Sequence, residues 1–195
     1  MKLVKAVVAV LILSNMVYGC APLIIGGGAA AGGAAIYSRR TAGTMVDDET
    51  IELTAINKLA ADEQINDQAH INVISYNGVA LLVGQAPSEE LRSRSESIVS
   101  TIPKVRLVHN EISIAAPNSF TVRSADTITT SKVKTSILTV TSNDDSLGLR
   151  TKVVTENGIV YLMGLLNRQE ADAVTNAARQ VGGVQRVVKL FEYTD

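Results

Sequence analysis

The chain repeats itself. YNGVALLVG at residues 76–84 is answered by ENGIVYLMG at 156–164, so Asn-Gly recurs at 77–78 and 157–158 with an offset of 80. Gly84 and Gly164 keep the same spacing. Further on, IPKVRLVHNEISI (102–114) matches VGGVQRVVKLFEY (181–193) at an offset of 79. Upstream, ETIELTAINKLAA (49–61) aligns with DTITTSKVKTSIL (126–138) at an offset of 77. Whatever small unit the first copy forms, the second must form again.

Each copy reads as α-β-β-α-β. In the first, Leu53, Ile56, Leu59 and Ala60 fall on one helical face, with Asp47 or Asp48 available as N-cap. Val133 and Ile137 hold that face in the second copy. A strand follows, INVISY or TKVVTE. Asn-Gly then signals a hairpin, because both positions of a type I′ turn need positive φ. The partner strand is VALLVG or IVYLMG, which Gly84 or Gly164 is expected to break. A second helix spans 88–101 or 168–181, and a last strand closes the unit. The expected fold is α+β: two tandem domains, 46–114 and 124–195, joined by a linker at 115–123. Each has two helices on one face of a three-stranded mixed sheet.

The hairpin strands VALLV and IVYLM are apolar on both faces. Helices cover only one face of such a sheet. Each repeat has fewer than 80 residues, so its own core is small. The second face calls for cover from the other copy or from a partner protein.

The first 45 residues are different. Lys2 and Lys5 precede an apolar run, Ala6 to Leu13, of signal-peptide length. Gly19 and the sole cysteine, Cys20, follow. The pattern resembles the bacterial lipobox, with Val17 in keeping and Tyr18 larger than usual. That resemblance implies a cleaved signal peptide at 1–19. It also implies covalent N-acyl and S-diacylglyceryl lipid on Cys20, with no other cofactor. By the same resemblance to bacterial lipoproteins, Ala21 rather than Asp after the cysteine implies sorting to the outer membrane, facing the periplasm. Each buried methylene contributes about 0.8 kcal/mol, so three acyl chains hold a protein on a membrane where one does not. The Gly/Ala-rich stretch from 23 to 37 lacks the GK[ST] of a phosphate loop and reads as part of a tether over 20–45. Arg39 and Arg40 at its end could meet lipid phosphates or simply stay solvated.

The order of elements, with DEQI (62–65), LLVGQ (81–85), VTENG (154–158) and LMGL (162–165), resembles the BON domain. The whole plan is similar to outer-membrane lipoproteins that carry two BON domains. The resemblance implies binding of anionic phospholipid, such as phosphatidylglycerol or cardiolipin, and a role in keeping the outer membrane intact near division sites.

Little else in the chain suggests chemistry. Without the leader, 16 basic residues face 19 acidic ones, which argues against nucleic acid as a partner. His70 and His109 have no other ligand at metal spacing, and no Ser-His-Asp grouping can be assembled. The chain reads as a non-enzyme. For lipid, the first helix of the second copy is the better candidate. With Val133 and Ile137 inward, Ile128 points outward, and Lys132 and Thr135 share its stripe while Lys134 lies on the other flank. Ile51 is the expected counterpart of Ile128 in the first copy, and no aromatic stands at the start of the second copy's helix. The alternative function is a lipid-tethered scaffold for an envelope protein partner, motivated by the doubly apolar strands.

Overall fold

The computed structural model describes residues 39–140 and 146–195. The leader, Cys20 and the Gly/Ala stretch lie outside them. The first repeat comprises α1 (Ala42–Ala60), α2 (Glu63–Gln68), β1 (His70–Tyr76), β2 (Val79–Ala86), α3 (Glu89–Ser100) and β3 (Leu107–Ile114). The second comprises α4 (Phe120–Val140), α5 (Ser146–Arg150), β4 (Thr151–Glu156), β5 (Ile159–Leu166), α6 (Arg168–Arg179) and β6 (Arg186–Tyr193). Each sheet has its second strand in the middle, antiparallel to the first and parallel to the third. The architecture is α+β, with one mixed three-stranded sheet in each repeat.

Both first helices begin earlier than their sequence suggests. Thr41 caps α1, its hydroxyl accepting from the Thr44 amide, so the helix starts inside the stretch read as tether. α4 starts at Phe120, inside the stretch read as linker. A short helix also precedes each first strand. α2 is capped by Asp62, whose carboxylate accepts from the Ile65 amide.

Asp48 is therefore no N-cap. It sits within α1, 3% exposed, and its carboxylate accepts the Asn77 and Gly78 amides at 2.8 Å each and the Ser75 hydroxyl at 2.7 Å. Asp126 of α4 holds the second turn in the same way, at 2.8 Å from the Asn157 amide and 2.9 Å from that of Gly158. The reason is local. A type I′ turn, here with φ of 54° and 74° at Asn77 and Gly78, leaves its amides pointing out of the hairpin. A carboxylate brought by the helix satisfies both.

This equivalence resets the alignment of the first helices to an offset of 78. Ile51, Ala55 and Leu59 are the buried face of α1, matched by Thr129, Val133 and Ile137 of α4. Leu53 and Ile56, expected inward, are 52% and 53% exposed, and Ala60 is exposed too. The counterpart of Ile128 is Thr50, not Ile51. The apolar pattern and the observed register differ by one residue, which on a helix is a 100° rotation.

The glycines do not break the strands, which run on to Ala86 and Leu166. Gly84 has φ +125°, and a Cβ there would lie 2.0 Å from the carbonyl oxygen of His70. It lets β1 approach where no side chain fits.

The doubly apolar strands are covered by each other. Leu82 and Leu162 face their own helices, in two separate cores. Leu81, Val83, Tyr161 and Met163 face the opposite way and form a third core between the two sheets, together with Tyr76 and Val79. Polar groups close its rim. Gln85 donates to Glu156 at 2.6 Å, the Tyr76 hydroxyl donates to the Arg150 carbonyl at 2.9 Å, and Arg106 pairs with Glu192 at 2.8 Å. Lys152 of β4 reaches Ser75 of β1, and Arg106 before β3 reaches β6. The repeats are thus related by an approximate two-fold axis.

Candidate functional site

Arg39 and Arg40 are not free to meet lipid. Arg39 donates to both oxygens of Glu170, at 2.7 and 2.8 Å, and to the Leu165 carbonyl at 3.2 Å. Glu170 is also the reciprocal partner in the Asn167 capping box of α6 and pairs with Arg150 at 3.1 Å. Arg40 pairs with Asp48 at 2.6 Å and stacks 3.8 Å over the Tyr76 ring. Arg39 is thus held by the second repeat and Arg40 by the first.

α4 presents the more unusual surface. Its outward face carries Phe120, 77% exposed, and Ile128, 56% exposed. Ile128, Lys132 and Thr135 line one surface depression with Thr127, Ser131 and Ser136. Lys134 stands on the opposite flank, as the spacing implied. The hydroxyls of Thr127, Ser131, Thr135 and Thr139 each donate to the carbonyl four residues back, at 2.9 to 3.0 Å. Satisfied within the helix, they do not have to be solvated.

Charge completes the contrast between the two first helices. α4 carries Arg123, Lys132 and Lys134, and its one acid, Asp126, turns inward to the hairpin. α1 carries Asp47, Asp48, Glu49 and Glu52 against Lys58. Phe120 lies in the stretch that reads as linker, and only the observed start of α4 puts it on this helix. An aromatic does stand at its start.

Beside this face lies a groove of about 450 Å³ between α4 and the outer edge of β4. Arg123, Thr130, Lys134 and Thr155 line it, with Asn72 contributed by β1 of the other repeat. Among the described residues no group of three or more His, Cys, Asp or Glu is placed to hold a metal, and no helix is long and apolar enough to cross a membrane.

The repeat that organises this surface is a known one: the BON-domain family matches residues 47–116 and again 125–195. The chain belongs to the BON-domain family. Outer membrane lipoprotein DolP of Haemophilus influenzae is 33% identical over 180 residues, spanning 91% of this chain and 90% of the relative. The 21 kDa hemolysin of Actinobacillus pleuropneumoniae is 36% identical over 154 residues, spanning 79% and 78%. Among solved structures, the C-terminal domain of CdsD, a type III secretion structural protein of Chlamydia trachomatis, covers 76% of this chain and 67% of its own, at 16% identity and a TM-score of 0.30. That likeness is too loose to inform the arrangement of the two BON domains. The α4 surface and the groove both belong to the second BON domain, apart from the wall that Asn72 supplies.

Proposed function

We propose that the protein is an outer-membrane lipoprotein, acylated on Cys20 and facing the periplasm. It is a binding module rather than an enzyme. Its second BON domain binds anionic phospholipid headgroups, phosphatidylglycerol or cardiolipin, and so helps maintain the outer membrane. The observation that carries this reading is the outward face of α4. Phe120 and Ile128 are exposed, the Ser131 and Thr135 hydroxyls beside Ile128 are satisfied within the helix, Lys132 and Lys134 lie on either flank, and the helix's one carboxylate, Asp126, is turned to the hairpin amides. Such a face suits the headgroup boundary of a bilayer, where each lysine near an anionic surface contributes about 1 kcal/mol.

The name of the Haemophilus relative supports the lipoprotein part of the reading. The doubly apolar strands, which also motivated a protein-binding scaffold, have their second faces buried against each other.

Residues 21–195, which lack the acylated cysteine, should co-sediment with phosphatidylglycerol vesicles and release in high salt. A fragment beginning at 46 would remove the first turn of α1 and both arginines, so it is the wrong protein to test. Lys132→Glu should weaken binding. Equal binding to anionic and zwitterionic vesicles would sink the proposal.

A further inference from the structure

The two BON domains finish the outer edges of their sheets differently. At the edge of β1 the Ser75 amide points away from β2, and Glu52 of α1 accepts it at 2.8 Å. Lys152 crosses from β4, pairs with Glu52 at 2.5 Å and lies 3.4 Å from the Ser75 carbonyl. A carboxylate and its counter-ion therefore close this edge.

The approximate two-fold axis identifies the same place in the second domain. Thr155 pairs with Val160 as Ser75 pairs with Ala80, so its amide also faces outward. Thr130 stands where α1 has Glu52, and Asn72 stands where β4 has Lys152. Both are shorter, and the Thr130 hydroxyl turns aside to that of Thr155 at 2.8 Å. What they leave unfilled is the groove of about 450 Å³. Two cations, Arg123 and Lys134, border it. Two acids line it as well, but Asp126 is engaged with the hairpin amides, and Glu156 with Gln85 and Asn118.

We propose that this groove binds a phosphate oxyanion. The Thr155 amide donates to it as the Ser75 amide donates to Glu52, and Arg123 and Lys134 supply the charge. The inference rests on the lipid reading above for its source, the phosphate of an anionic headgroup. It adds that the headgroup site is shared between domains, because Asn72 belongs to the first. The first domain thus carries, in its own Glu52, an internal copy of the ligand's charge.

The test uses residues 21–195, with the Thr155 amide followed by NMR during titration with glycerophosphoglycerol or inorganic phosphate. Vesicle binding is measured in parallel. The pair Asn72→Lys with Thr130→Glu transplants the closed edge at no change in net charge. It should abolish the Thr155 response and weaken binding to phosphatidylglycerol vesicles about tenfold, the order expected for losing one charge-assisted hydrogen bond. Should that pair fail to fold, Lys134→Gln on the exposed flank should still lower the response to both soluble probes.

A Thr155 amide unmoved by either probe, with vesicle binding equal in wild type and the paired variant, overturns the groove and leaves the lipid reading standing. A response to inorganic phosphate without vesicle binding keeps the groove as a free-phosphate site and removes lipid as its source. Failure of both measurements overturns both.

Discussion

The Asp48 carboxylate accepts the Gly78 amide at 2.8 Å, tying a helix to a hairpin turn 30 residues further on. The same oxygens hold the Asn77 amide, the Ser75 hydroxyl and Arg40. Among the described residues, Asp126 holds the two turn amides and no counterpart of Arg40 or of the Ser75 hydroxyl. Asp48→Asn, which replaces one acceptor oxygen by a donor, should cost about 2–3 kcal/mol, and Asp126→Asn about 1–2 kcal/mol. Urea unfolding checks the order. Equal losses at the two sites would show that the extra partners of Asp48 add nothing.

Gly84→Ala should destabilise by more than about 2 kcal/mol, because φ +125° and the His70 carbonyl both exclude a side chain. Gly182→Ala is the control. A Cβ there meets nothing within 4 Å, and the change should stay within about 0.5 kcal/mol. Thermal unfolding of the two variants decides whether close approach, rather than glycine content, matters here.

The seam between the sheets should be sensitive to alkali. Burial, with the Glu111 carboxylate adding to it and Arg186 opposing, pushes the Tyr161 hydroxyl from about 10 up to about 12. The folded state thus keeps its proton where the unfolded state has lost it. This contribution to stability is complete below pH 10 and is lost as pH rises from 10 towards 12. Tyr161→Phe keeps the ring and should flatten that part of the stability profile. An unchanged alkaline slope would place the titration elsewhere.

Glu170 should make the Arg39 contact sensitive to acid. Burial raises its pKa, but the hydrogen bonds from Arg39 and the Asn167 amide, with the charges of Arg39 and Arg150, outweigh that and hold it below the usual carboxylate value. The resulting stability is present above the ordinary value of 4.5 and is lost as pH falls through the lower folded value. Arg39→Gln should remove much of this dependence. Acid unfolding profiles that superimpose for the two proteins would contradict it.

Much of the fold was legible because its signals are local. The Asn-Gly pairs specify their turns by φ alone, and Asn77, Gly78, Asn157 and Gly158 all adopt the positive values that this requires. Repetition then doubled every such signal and separated the chain into two α+β units of the same order. The candidate stripe on α4 was legible for a similar reason. Val133 and Ile137 lie inward, and helical geometry leaves Ile128, Lys132 and Thr135 on the outside. What the chain alone left open depends on partners distant in sequence. Asp48 looks like a helix cap until the turn it serves is brought beside it. Leu81 and Tyr161 look like apolar residues awaiting an unknown partner until the two sheets stack. The groove beside Thr155 follows from the absence of a long side chain at Thr130 and Asn72, and an absence has no pattern along a sequence. Only packing, which brings Asn72 of one domain to the sheet edge of the other, decided that this edge would stand open while its counterpart closed.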